Sequence, residues 1–260
     1  VADTALESAL KRDRWITAGA LGLAVLLCWA WIVPMARDMY GPMTGPAAWM
    51  MTGHWGATHL LLLLAMWVVM MVGMMLPSAA PTLLLYAAVL RKSMPDANAP
   101  LLVYAFGAGY LLIWSLFSIA ATVLQRVLSE MLVLSPMMEL QNRTWAGALL
   151  ALAGAYQLTP LKSTCLQHCR SPAMFISQHW RADPPGALHM GLTHGLYCLG
   201  CCWALMLLLF VGGVMNLWVI AAITLFVLAE KVAPRGAQGG RLSGVLLILL
   251  GLWTAIAPLQ

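Results

Sequence analysis

The 260-residue chain is 62% hydrophobic and only 9% charged, with a formal net charge of +5. That excludes an ordinary soluble domain, which carries roughly a quarter charged residues, and leaves an all-α polytopic membrane helix bundle whose outer face is solvated by lipid. The positive charge does not point to nucleic acid, because the basic residues are scattered over short loops, where they read as topology signals.

Apolar runs of about 20 residues predict about seven transmembrane helices in a single domain, 1–260. The first covers 15–36; the preceding "KRDR" and the length of the run read as a retained helix, not a cleaved signal. The second runs from 57 to 90, too long for one straight crossing, and carries Pro77 and Pro81, which are expected to break it. The third covers 100–125, and the fourth, shorter, covers 144–160. The remaining three are 186–211, 214–231 and 242–258. Eleven of the 14 Lys and Arg residues then fall on one side, against Arg37, Arg126 and Arg143 on the other. This asymmetry predicts a cytoplasmic N-terminus and an external C-terminus in a bacterial inner membrane.

Within the fifth run, "HGLYCLGCCWALM" (194–206) places an imidazole and three thiols in an apolar helix. At 100° per residue, Cys198, Cys201 and Cys202 stand at about 40°, −20° and 80° from His194. They share one face, with His194 roughly 12 Å and Cys201 roughly 22 Å beyond the helix start. Soft sulfur ligands with imidazole select Cu(I), with Zn(II) second. A lone cysteine in a membrane helix is usually packing, which is the expectation for Cys28 and, within the cluster, most nearly for Cys202.

A second set, "KSTCLQHCRSP", lies in the connection between runs four and five. Cys165, His168 and Cys169 project to one side if that connection is helical; otherwise they are reduced thiols in a solvated cytoplasmic loop. Their order is not that of a c-type haem attachment, which needs C-x-x-C-H.

Methionine gives the third signal. Met66, Met70 and Met74 fall within about 80° of one another on the second run, beside Met71 and Met75. Thioethers suit Cu(I) and not zinc, although a methionine stripe also serves as flexible core filling. Met35, Met39, Met43, Met50, Met51, His54 and His59 enrich the outer end, where they form a docking surface or an interfacial belt with Trp49 and Trp55. Glu230 and Lys231 read as a snorkelling or structural pair closing run six.

Taken together, "MMVGMMLPSAAP", "YQLTPLKSTCLQHCRSP" and "GLYCLGCCWALMLLLFVGGVMNLWVIAAITLFVLAEK" resemble a bacterial family of predicted metal-binding integral membrane proteins of unknown function. The resemblance extends from about residue 60 to 232. It implies that Cys165, Cys169, Cys198, Cys201 and Cys202 belong to the family's cysteine pattern, and Met74, Met75 and Pro77 to its Met–Pro element.

The expected function is copper handling. His194, Cys198 and Cys201 form the main site, helped by Cys202 and by Met74 or Met75. Cys165, His168 and Cys169 supply an acceptor or second site. Cu(I) would be held for transport, delivery or assembly of a metalloenzyme, with the bilayer and a copper chaperone or a membrane metalloenzyme as partners. The alternatives are a metal-dependent membrane redox enzyme, or a subunit of one, a thiol–disulfide oxidoreductase using Cys198 and Cys201, and a structural subunit of a larger complex.

Overall fold

The computed structural model describes residues 2–41, 56–94, 98–131, 133–135 and 138–256, with side chains from residue 15 onward. Its elements in chain order are α1 (Ala2–Met39), α2 (Ala57–Ser93), α3 (Ala99–Glu130), α4 (Arg143–Gln157), α5 (Pro160–Arg170), α6 (Pro172–His179), α7 (Pro184–Leu207), α8 (Leu209–Gly212), α9 (Leu217–Val232) and α10 (Gly236–Ile256). Among the described residues there is no β-strand, only an isolated bridge between Leu134 and Leu140.

Five stretches are long and apolar enough to cross a bilayer: Trp15–Met39, Ala57–Ser93, Ala99–Glu130, Pro184–Gly212 and Gly236–Ile256. They carry five of the seven expected runs. The other two become α4 and α9, of 15 and 16 residues. At 1.5 Å per residue these reach about 22 and 24 Å, short of a hydrocarbon layer of about 30 Å.

The starts of the short elements are written in the sequence. Pro160, Pro172 and Pro184 each sit at the first helical position, where a missing N–H costs nothing. Thr159 caps the Lys162 amide at 3.3 Å, and Asp183 caps that of Gly186 at 2.9 Å. The connection between α4 and α7 is therefore two short helices packed on their neighbours rather than a solvated loop.

The expected break in the second run is absent, since α2 is one uninterrupted helix of 37 residues with Pro77 and Pro81 inside it. Pro77 cannot donate to the Gly73 carbonyl four residues back. Trp29 Nε1 from α1 donates to that oxygen instead, at 3.3 Å. A neighbouring helix thus satisfies the group that the proline releases, which is how such prolines are tolerated in lipid.

The core is built on α2, α3 and α7. Trp67 Nε1 donates to Gln125 Oε1 (2.7 Å) at one end of the α2–α3 contact, and the Tyr86 ring packs tilted against Phe106 (centroids 5.4 Å) at the other, so these helices are antiparallel. Gly191 abuts Phe106 and Gly195 abuts Ile113, so α3 and α7 run parallel.

Across the molecule, α4 and α10 pack antiparallel through facing glycines. A Cβ on Gly147 would lie 2.5 Å from the Gly251 oxygen, and one on Gly154 would lie 2.5 Å from the Gly244 oxygen. Both distances are impossible, so each position must be glycine for the backbones to meet. Close approach through small residues is the packing mode open to helices in lipid, where apolar surface gives little drive for association.

Candidate metal centre

Helix α7 buries the face that the helical arithmetic selects. Cys198, Cys201 and Cys202 are all within 2% of full burial, as is His194. Cys201 Sγ donates to the Cys198 carbonyl at 3.1 Å, and Cys202 Sγ donates to the same oxygen at 2.9 Å. Both thiols are thereby anchored one turn along from Cys198.

Helix α5 brings the second cysteine set to the first. Cys169 Sγ lies 4.0 Å from Cys201 Sγ and is itself buried. The two sulfurs belong to residues 32 apart in sequence, on different helices. Cys165, four residues earlier on α5, faces Gly200, where an added Cβ would meet its sulfur at 2.7 Å. Tyr156 donates its hydroxyl to the Gly200 carbonyl, pinning α7 against the end of α4. The glycine of "CLGC" thus makes room for the second cluster. Burial pushes the Cys165 thiol above the usual range, and Cys201 alongside adds to the effect.

From α2, Met75 supplies the thioether: its sulfur is 3.8 Å from Cys202 Sγ. Met66, Met70, Met71 and Met74 are as deeply buried, in the same core that holds Met75. Cys28 lies against Gly73 at the α1–α2 contact, away from the cluster. Met35, Met39 and His59 are buried, whereas Met43, Trp49, Met50, Met51, His54 and Trp55 lie outside the described residues.

The histidines take other places. His168 stacks on Tyr197 (ring centroids 4.1 Å, 6° between planes), and its Nδ1 meets the Thr164 carbonyl of its own helix at 2.9 Å. His194 sits in a box of Phe106, Tyr110 and Phe175, with ring centroids 5.9, 5.8 and 5.0 Å away. Its Nδ1 is buried with no hydrogen-bond partner. An orphaned polar atom at that depth is costly, and a soft cation is one partner that would relieve it.

The buried acidic and basic residues of α9 find their partners on other helices. Glu230 and Lys231 do not pair with each other; neighbours on a helix point about 100° apart. Glu230 forms a buried ion pair with Lys162 of α5, which also bonds Gln157 of α4. Arg170 closes over the end of α9, donating to the Glu230 carbonyl and, through Nη2, to that of Ala233 at 2.7 Å. A cavity of about 340 Å³ lined by Lys162, Arg170, Glu230 and Arg241 opens beside this pair.

Lys231 instead reaches into the sulfur cluster. Its Nζ lies 2.9 Å from Cys198 Sγ and 2.9 Å from Ser78 Oγ. On the other side of Cys198, the Tyr110 hydroxyl stands 3.0 Å from Sγ and donates to the Met75 carbonyl at 3.0 Å. Neither Lys231 nor Tyr110 is marked for the site by a motif in the sequence. A lysine one position from a paired-looking glutamate carries no local signal of its real partner.

All six cysteines are free thiols. Among the described residues, no three His, Cys, Asp or Glu side chains converge as a ready-made metal cage. What is present is a close pair of thiols, a third with a thioether beside it, and a fourth between a phenol and an ammonium. Such low-coordinate soft-sulfur sets suit Cu(I), whereas structural Zn(II) takes four ligands in a tetrahedron.

Fold and cluster together define a helical protein with several bilayer-length helices around a buried thiol–thioether centre. The family follows from comparison: residues 64–254 match the PpoB2 family, described as copper chaperone, and the chain belongs to that family. No curated protein and no solved structure matches it.

Proposed function

We propose that this chain is a multi-pass protein of the bacterial inner membrane that accepts Cu(I), holds it within the bundle and passes it to a copper-requiring partner. The observation that carries the reading is the 4.0 Å approach of Cys169 and Cys201 across α5 and α7. With metal–sulfur distances of about 2.3 Å, two thiolates on one ion stand roughly 3.8 Å apart at a tetrahedral angle and 4.6 Å when linear. The observed gap accepts an ion with little movement. Cys198, Cys202 and Met75 supply further sulfur within the same cluster, and His194 offers the unpartnered Nδ1 one turn below. Cys165 and His168 stand on the α5 side, Cys165 against Gly200 and His168 over Tyr197, as the first donors an incoming ion would meet. Met75 rather than Met74 is the α2 thioether in this ligand set, because its sulfur lies 3.8 Å from Cys202 Sγ.

Transfer by ligand exchange suits such a site. Each bound state uses few donors, so an ion can pass from one sulfur pair to the next without leaving a deep energy well. The family description, copper chaperone, supports copper as the cargo and delivery as the role.

Elemental analysis of protein purified in mild detergent tests this. The expected content is roughly one copper per chain, lost in a Cys169→Ser/Cys201→Ser variant that keeps its helicity. Full copper retention in that variant defeats the assignment.

Thiol–disulfide exchange is the second reading, favoured by the same 4.0 Å gap, because closing it to a bond of about 2.05 Å needs only a modest shift. A disulfide between Cys169 and Cys201 in protein alkylated at isolation would support that chemistry over copper.

A further inference from the structure

A cation-binding cluster with a lysine inside it presents a problem of charge. Lys231 is buried among Cys198, Ser78 and the neighbouring thiols, and its ammonium repels any metal ion that enters. The adjacent carboxylate does not neutralise it, since Glu230 is committed to Lys162. A cation kept at that cost in a copper site calls for a role that an apolar side chain could not fill.

We propose that Lys231 is the specificity-determining counter-cation that makes the cluster a site for monovalent soft ions. The inference rests on the copper reading above and deepens it. When an ion binds two thiolates drawn from Cys169, Cys198 and Cys201, the sulfurs contribute two negative charges. A monovalent ion and the Lys231 ammonium contribute two positive ones, and the buried site is neutral. A divalent ion on the same two thiolates leaves a net positive charge in a low-dielectric interior, which is strongly disfavoured. A third thiolate could compensate, but among the described residues no three such ligands stand together as a cage. Lys231 acts as a positioning and charge-setting residue; it touches the ligand Cys198 and does not itself coordinate.

Ag(I) and Cd(II) separate charge from softness, because both are thiophilic and they differ by one unit. The full chain in mild detergent is titrated with each ion against a thiol chelator of known affinity. A unit charge uncompensated at about 4 Å corresponds to roughly 10²- to 10³-fold in affinity, so the wild type is expected to prefer Ag(I) over Cd(II) by that order. In Lys231→Met the preference should narrow by at least tenfold, with Cd(II) gaining and Ag(I) losing. Lys231→Arg, which restores the charge, should recover it. A structural role alone would lower both affinities together and leave the ratio unchanged.

Equal affinity of the wild type for the two ions overturns the proposal, as does an unaltered ratio in a folded Lys231→Met protein. If that variant does not fold, Lys231→Gln, which removes the charge but keeps a polar group beside Ser78, carries the same comparison. A wild type that holds neither Ag(I) nor Cu(I) removes the metal centre itself, and this inference with it.

Discussion

Helices α7 and α10 are both apolar and both long enough to cross a bilayer, yet they bury opposite kinds of residue. The buried positions of α10 are Gly236, Gly240, Gly244 and Gly251, with nothing but hydrogen at each Cα. Those of α7 include His194, Cys198, Cys201 and Cys202. Glycine contact is a cheap way for helices to associate in lipid. Burying imidazole, thiols and, from α9, an ammonium is expensive and marks a functional region. By that contrast α4–α10 has the character of scaffold, and the proposed chemistry falls on α5–α7–α9. The Lys162–Glu230 pair joins them, since Lys162 also holds Gln157 at the end of α4.

The largest effect should come from breaking that joint. Glu230→Gln leaves the Lys162 ammonium buried without its partner, which costs about 3–5 kcal/mol. Detergent melting should show it, and the double variant Glu230→Met/Lys162→Met should recover most of the loss. A single variant as stable as the wild type would mean the pair is not the joint.

Next in size, Gly154→Val drives a side chain into the Gly244 backbone, an overpacking cost of about 1–3 kcal/mol. Its folded fraction should retain copper as the wild type does, measured as metal per chain after gel filtration. Loss of copper at unchanged stability would erase the distinction between scaffold and chemistry.

Trp29→Phe removes the donor that satisfies the Gly73 carbonyl opposite Pro77, at about 1 kcal/mol. Faster amide exchange around residues 73–77 is the expected signature, and unchanged exchange there would show that the indole is not what lets α2 carry its proline. Comparable or smaller in stability is Met75→Leu, a volume-conserving change below about 1.5 kcal/mol. It should weaken Cu(I) binding while leaving the melting curve nearly in place; the reverse pattern would make Met75 a packing residue.

Much of this contrast is legible in the amino-acid order. Low charge and long apolar runs imply helices that can cross a bilayer, and 100° steps along α7 select the face that the bundle buries. The T-P, S-P and D-P pairs at 159–160, 171–172 and 183–184 mark the starts of α5, α6 and α7, and weighting them would have replaced the loop with helices. Glycines seven residues apart at 147 and 154, and again at 244 and 251, carry the α4–α10 contact.

Other features depend on tertiary neighbours. Pro77 reads locally as a break because the indole that repairs it belongs to Trp29 on α1, 44 residues from the Gly73 carbonyl it satisfies. Lys231 reads as the partner of Glu230 because adjacency in sequence conceals their divergence on the helix. The meeting of Cys169 with Cys201 depends on α5 folding back onto α7, which no spacing within either motif reveals.

The most direct measurement is X-ray absorption at the copper edge on the loaded full chain, wild type beside Cys169→Ser. The account predicts a low-coordinate Cu(I) shell of sulfur near 2.3 Å that loses one sulfur in the variant. A shell of nitrogen and oxygen, or a sulfur shell indifferent to Cys169, would contradict it.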